Sequence, residues 1–122
     1  MQKQKKTLVL GASPNPSRYS HAAVKRLHGY NHPVIALGKR KGSIGDIQIT
    51  NEKKHHKDID TVTLYLNPAN QKEYYEYLML LNPKRIIFNP GTENNELAEM
   101  ASRKGIEPVD ACTLVMLSTN QY

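Results

Sequence analysis

A chain of 122 residues, 39% hydrophobic and 23% charged, has the composition of one ordinary globular domain; it leaves little room for a second and argues against disorder. The net charge of +6 favours anionic partners, phosphorylated small molecules among them, and a lone cysteine, Cys112, excludes an internal disulfide framework. No apolar stretch approaches the ~20 residues of a membrane-spanning helix. The run Thr7 to Gly11 behind the basic start is shorter than the ~7–15 residues of a signal-peptide core. The expectation is therefore a cytoplasmic protein with no membrane partner, in a single domain spanning residues 1–122.

Thr7-Leu8-Val9-Leu10 has the length and flanks of a buried parallel strand. Gly11 to Ser17 is a loop by composition. Ala22, Ala23, Val24 and Leu27 recur at helical spacing through Ser20–His28, with Ser17 or Ser20 as the expected cap and Gly29 as the stop. Val34 to Leu37 is a second buried strand, followed by a basic, glycine-containing loop from Gly38 to Gly45 and a short edge strand at Ile47–Ile49. Thr61 to Leu66 is a further strand. Pro68 suits the first turn of the helix after it, whose face carries Tyr74, Leu78 and Leu81. Arg85 to Phe88 is a strand closed by Asn89-Pro90-Gly91. Thr92 is the expected cap of a helix with Leu97, Met100 and Ala101 on its face, and Gly105 ends that helix. Ile106 to Val109 is the last strand, and a short tail follows Cys112.

Strands and helices in alternation imply a doubly wound α/β domain with a mostly parallel sheet and helices on both faces. In such sheets ligands bind beyond the carboxyl ends of the strands, at the switch point. That rule selects the loops beginning at Gly11, Gly38, Leu66 and Asn89. In the first, Gly11 permits a tight turn, Ser13, Ser17 and Ser20 offer hydroxyls, and the helix start offers amides with a partial positive charge beside Arg18. These features favour a diphosphate. The loop is not the dinucleotide fingerprint, since Ser13 and Pro16 stand where further glycines belong, and no G-K-[ST] of a phosphate-binding loop occurs. After the second strand, where NAD-binding domains place an acid for the ribose, this chain has Lys39, Arg40 and Lys41. A phosphorylated ribose fits there, of NADP or of coenzyme A, and the residues alone leave both open.

No catalytic set emerges. His21 lies beside the first loop and reads as a helix-start residue. His55 and His56 lack spaced partners for a metal. Cys112 reads as a structural cysteine, with a reactive thiol as the alternative. Nucleic acid is disfavoured by a single Phe, no Trp and no RNP-like or helix-turn-helix pattern.

The segment Gly11-Ala12-Ser13-Pro14-Asn15-Pro16-Ser17-Arg18-Tyr19-Ser20 resembles the phosphate loop of the small stand-alone CoA-binding domain proteins, which are similar to the CoA-binding domain of succinyl-CoA synthetase alpha subunits. Gly42 to Asp46, Asn67-Pro68, Ile86 to Thr92, and the closing Asp110-x-Cys112 extend the resemblance over nearly the whole chain. It implies a Rossmann-like fold with coenzyme A, or an acyl-CoA, lying across the strand ends. Gly11, Ala12, Ser13, Arg18 and Ser20 would hold the diphosphate, with Pro14 and Tyr19 in the same loop. Arg40, with Lys39 or Lys41, would meet the ribose phosphate. Leu66, Asn67 and Pro68 would pack on the adenine or the start of the pantetheine arm, and Asn89, Pro90 and Gly91 would line the far side. The chain departs from the family at Gly38-Lys39 (commonly Asn-Pro), at Tyr19 (often Pro), at Ala111 (often Arg), and at Met116-Leu117 (typically acidic residue and His). The expected role is a carrier, sensor or accessory module for a small-molecule nucleotide. An NADP-binding enzyme or sensor is the alternative, and an interaction module using the basic surface, whose protein partner the sequence does not name, is a further one.

Overall fold

The computed structural model describes residues 3–122. A seven-stranded sheet runs in the order β3-β4-β2-β1-β5-β6-β7. Its strands are β1 (Thr7–Leu10), β2 (Val34–Leu37), β3 (Gly42–Ile44), β4 (Ile47–Thr50), β5 (Thr61–Leu64), β6 (Arg85–Phe88) and β7 (Glu107–Asp110). The helices are α1 (Tyr19–Gly29), α2 (Pro68–Gln71), α3 (Tyr75–Leu81), α4 (Asn95–Arg103) and α5 (Thr113–Ser118); a 3-10 turn, Lys72–Tyr74, joins α2 to α3. The pairs are parallel throughout except β3 with β4. The architecture is the doubly wound, Rossmann-like α/β fold expected from the alternation of elements.

The two faces follow from the two-residue period of the strands. Leu8, Leu10, Val62, Leu64, Ile86 and Phe88 point to one side and pack with Leu78 and Leu81 of α3 and Leu97 and Ala101 of α4. Val9, Ala36 and Ile87 point to the other and pack with Val24 and Leu27 of α1 and Leu117 of α5. Every residue of β1 and β5 is buried, because helices cover both faces of the sheet centre.

Several local expectations are corrected. Arg18 occupies the N-cap of α1 with no side-chain capping bond, so neither Ser17 nor Ser20 caps it; the Ser17 hydroxyl donates instead to Asn15 Oδ1 at 2.9 Å. α1 does stop at Gly29 as expected, but the left-handed residue that turns the chain is Asn31 (φ +68°), and His32 N donates to Leu27 O at 3.0 Å to close the turn. The basic loop contains β3, which hydrogen-bonds β4 in a hairpin, so β3 and not β4 is the sheet edge. β5 stops at Leu64, two residues short of Leu66. Asn94 rather than Thr92 caps α4, accepting from Leu97 N, because the helix begins at Asn95; the Thr92 hydroxyl donates back to Asn89 O at 2.7 Å. The last strand is shifted by one residue, to Glu107–Asp110, and the tail after Cys112 forms α5.

The face expected from Tyr74, Leu78 and Leu81 is buried, although the helix carrying it is broken by the 3-10 turn. Pro68 does stand in the first turn of its helix, with Asn67 as the cap accepting from Asn70 N at 2.9 Å.

Candidate functional site at the carboxyl edge of the sheet

The switch point lies between β1 and β5. From β1 the chain crosses to β2 through α1 on one face; from β5 it crosses to β6 through α2 and α3 on the other. In doubly wound sheets the ligand crevice lies beyond the strand ends at such a point, flanked by the loops after the two strands, here those after β1 and β5.

The close approach of these loops dictates their glycines. Gly11 (φ +96°) follows β1, and a Cβ on it would stand 3.0 Å from the Tyr65 carbonyl and 3.1 Å from Leu66 Cδ2. Its amide, and that of Ala12, both donate to Leu37 O, at 2.8 and 3.0 Å. Gly38 is pressed harder: a Cβ there would lie 2.1 Å from Ala12 O. Pro14 lies over the β3–β4 hairpin, 2.9 Å from the Cβ position of Gly42. The first loop is thus clamped between the ends of β2 and β5 and the hairpin.

Side chains set the loop's internal shape. Ser13 Oγ accepts from Asn15 N at 3.1 Å, and Asn15 Oδ1 accepts from Ser17 N at 3.0 Å. His21, buried in α1, reaches back with Nδ1 to Ser13 O at 3.0 Å. Asn15 and His21 therefore shape the loop in a way their sequence context did not reveal. The Asn15-x-Ser17 spacing of an Asx turn was the available signal for the first.

At the start of α1, the amides of Tyr19 and Ser20 have no protein acceptor among the described residues, while those of Arg18, His21 and Ala22 are paired. Arg18 and Tyr19 are exposed beside them, Tyr19 to 76%. Ser20 is buried at 4%, Ser13 is half-buried, and the exposed Ser17 hydroxyl is engaged with Asn15. Lys39, Arg40 and Lys41 leave the end of β2 fully exposed and outside any salt bridge among the described residues. This combination of unpaired helix amides and exposed cations suits a phosphorylated anion.

The loops after β5 and β6 are bound to each other by buried polar groups. Gln71, wholly buried, donates from Nε2 to Leu66 O and to Thr92 O, both at 2.8 Å, and accepts from Asn94 Nδ2 at 2.9 Å. Asn89, 3% exposed, donates to Thr63 Oγ1 and Leu64 O and accepts from Thr113 N. The Asn89 side chain is consumed in this brace, and the Asn67 side chain in capping α2. Leu66 is half-buried against Gly11, while Pro68, Pro90 and Gly91 are exposed along the rim. Gly91 (φ +92°) donates its amide to Glu93 Oε1 at 2.8 Å. Tyr65 follows β5 on the α1–α5 face; its hydroxyl is buried without a hydrogen-bond partner, and burial pushes its ionisation up to about 12.

Shallow grooves run along the faces of α4 (Asn95, Ala98, Glu99, Ser102, Arg103) and α1 (Ala22, Lys25, Arg26, Gly29, Tyr30). Among the described residues no helix is long and apolar enough to cross a membrane.

A family model described as "CoA binding domain" matches residues 5–118. A solved crystal structure of an uncharacterised protein is 50% identical, covers 99% of this chain and 100% of its own, and superposes with a TM-score of 0.97. A hypothetical protein from Pyrococcus horikoshii OT3 is 24% identical over 96% of this chain and 84% of its own, with a TM-score of 0.86. A conserved hypothetical protein from Pyrococcus furiosus is 22% identical over 91% of this chain and 97% of its own, with a TM-score of 0.79; these last two share the fold. No curated protein matches the chain.

Proposed function

The chain belongs to the CoA-binding domain family, and from that premise we propose that it is a non-catalytic coenzyme A-binding protein that holds the CoA diphosphate at the loop between β1 and α1. The observation that carries the placement is the first turn of α1: the unpaired amides of Tyr19 and Ser20 beside the Arg18 guanidinium, below a loop clamped by Gly11 and Gly38. Phosphate oxygens meet both the helix dipole and a fixed cation there. Lys39, Arg40 and Lys41 stand where a ribose phosphate would extend towards β2. Leu66 and Pro68 offer apolar surface at the switch point, and Pro90 and Gly91 line the far rim.

The non-catalytic reading is supported by how the polar side chains of the crevice are spent. His21 is tied to Ser13 O, and Asn89 and Gln71 are fully engaged with protein groups. Such groups are positioned to fix loops rather than to move protons. The protein then acts as a carrier, sensor or accessory module, in the cytoplasm, where CoA and its thioesters occur.

The exposed Lys39–Lys41 cations suit the 2′-phosphate of NADP as well as the 3′-phosphate of CoA, which keeps NADP as the second reading. Isothermal titration with CoA, dephospho-CoA and NADP separates the two. CoA is expected to bind more tightly than dephospho-CoA and than NADP, and Arg18→Ala is expected to weaken CoA about tenfold or more, the loss of a charge-assisted phosphate contact. NADP binding ahead of CoA would replace the ligand, and equal binding of CoA and dephospho-CoA would remove the role of Lys39 to Lys41.

A further inference from the structure

The amino ends of the strands, opposite the candidate site, carry a second polar cluster that the proposed binding does not use. Lys5 lies just before β1, His32 in the turn between α1 and β2, Asp60 just before β5, and Arg85 opens β6. Tyr122 enters among them from the chain beyond α5 and is 3% exposed. Its hydroxyl meets Thr7 Oγ1 at 2.5 Å, and its main-chain oxygen accepts from Lys5 Nζ and from Arg85 Nη2. Its ring lies 4.5 Å from the Arg85 guanidinium and 4.9 Å from the His32 ring.

These contacts anchor α5. The helix has six residues, of which only Thr113 and Leu117 are buried, and a helix this short does not hold its shape unaided. At its start the Thr113 amide is fastened to Asn89 Oδ1. At its end Asn120 (φ +61°) turns the chain, with Gln121 N donating to Met116 O at 2.8 Å, and Tyr122 returns to the amino edge. α5 is therefore tied at both edges of the sheet, by Thr113 at one and by Tyr122 at the other.

His32 is the titratable wall of the Tyr122 pocket. It is 3% exposed, and its Nδ1 accepts from Lys5 N at 2.9 Å, so the neutral ring carries its proton on Nε2, which has no partner among the described residues. A second proton has to go on Nδ1. There it sets two N–H groups against each other and adds a positive charge beside Lys5 and Arg85. The carboxylate that opposes these cations, Asp60, already accepts from Thr61 Oγ1 at 2.7 Å and lies 3.9 Å from Lys84 Nζ. Protonation thus breaks the Lys5–His32 bond and makes burial of the ring against Tyr122 costly.

We propose that Lys5, His32, Arg85 and Tyr122 form a proton-operated clasp on α5, closed while His32 is neutral and opened by its protonation, which releases residues 113–122 while the rest of the sheet stays folded. Opening is local because few core side chains go with it: Leu117 and Tyr122, with Met116 packed against them. The core on the other face, built on β1, β5 and β6, is untouched. Release also slackens the brace from Thr113 to Asn89, so the two edges of the sheet are linked through α5.

Hydrogen–deuterium exchange of the full chain at pH 7.5 and 5.5, with rates corrected for their intrinsic pH dependence, tests the clasp. Peptides covering residues 113–122 are expected to lose protection about threefold to tenfold at the lower pH, the upper figure being the limit for one proton taken up by a group of ordinary value 6.5. Peptides covering β1 and β6 are expected to keep theirs. His32→Asn, which retains an acceptor near Lys5 N and does not titrate, is expected to remove the difference between the two pH values. Tyr122→Ala, which leaves the Lys5–His32 pair in place, is expected to exchange at pH 7.5 at least as fast over residues 113–121 as the wild-type chain does at pH 5.5. Unchanged protection of residues 113–122 in the wild-type chain would overturn the inference, and so would an equal loss in β1 and β6, the mark of global unfolding. A pH difference that persists in His32→Asn would overturn the role of His32. Wild-type protection of α5 in Tyr122→Ala at pH 7.5 would overturn the anchoring by Tyr122.

Discussion

The amide of Thr113 donates to Asn89 Oδ1 at 2.9 Å, and this buried bond fastens the first turn of α5 to the end of β6. The other end of the Asn89 side chain reaches Thr63 Oγ1 at 2.7 Å and Leu64 O at 2.8 Å on β5. One amide thereby fixes two strand ends and a helix start. Thr63 and Thr113 also share a hydrogen bond between their hydroxyls at 2.7 Å, which completes the network.

Replacing Asn89 by Ala leaves the Thr113 amide and the Leu64 carbonyl buried and short of partners. The expected cost is about 2–4 kcal/mol, from the desolvation of those groups. Urea unfolding monitored by circular dichroism measures it. A loss below about 1 kcal/mol would mean that the brace is not maintained in solution.

Gly38 and Gly29 form a contrasting pair. At Gly38 a Cβ would stand 2.1 Å from Ala12 O, a backbone atom that cannot swing aside, so Gly38→Ala is expected to cost more than about 3 kcal/mol or to prevent folding. At Gly29 nothing lies within 4 Å of the added Cβ, and the residue ends a helix without a positive φ. Gly29→Ala is therefore expected to stabilise by about 0.5–1 kcal/mol. Thermal or urea melts of the two variants read both signs.

Two tyrosines set the alkaline limit. Tyr65, buried with an unpartnered hydroxyl, is pushed up to about 12, and burial likewise raises Tyr122, whose hydroxyl meets Thr7 Oγ1. The ordinary value is 10.0, so the neutral forms are favoured in the folded chain. Their stabilising contribution is complete below pH 10 and is lost as pH rises above it, for Tyr65 towards 12. Tyr65 alone accounts for up to about 3 kcal/mol of that loss. Phenolate absorbance titration is expected to show a late-ionising fraction that merges with alkaline unfolding and that shrinks in Tyr65→Phe.

The acid limit involves His32. Its Nδ1 accepts from Lys5 N at 2.9 Å, which places the ring proton on Nε2, and the ring packs 4.9 Å from that of Tyr122. Burial lowers its ionisation, with Lys5 and Arg85 adding repulsion and Asp60 partly opposing them. A depressed value means stability that is present above the ordinary 6.5 and declines as pH falls below it. Urea midpoints between pH 7.5 and 5 are expected to fall, and His32→Gln is expected to flatten the slope. An unchanged slope in that variant would assign the effect elsewhere.

The carboxyl-edge loops show where sequence reading succeeds and where it stops. The strands β1, β2 and β6 were legible to the residue, because each is a short, largely apolar and largely buried run between breakers. The loop between β1 and α1 was legible as a loop, since Gly11 and the start of α1 are local features. The commitments of Asn89, Gln71 and His21 were not, because their partners lie 24 or more, 21 and 8 positions away along the chain. The cap of α4 was offered locally by both Thr92 and Asn94, and the helix starts directly after Asn94, whose side chain accepts from Leu97 N. α5 escaped because it has six residues and no side-chain cap at Cys112.

The amino-acid sequence by itself determined the doubly wound class and the order of its strands and helices apart from β3 and α5. Those properties depend on apolar period and on breakers, which are local. Only the tertiary structure decided that Gly38 is pressed against Ala12, that β3 is the sheet edge, and that the Gly91 amide is held by Glu93. Sheet order and loop crossing bring distant residues within van der Waals and hydrogen-bonding distance, and spacing along the chain does not encode which of them will meet.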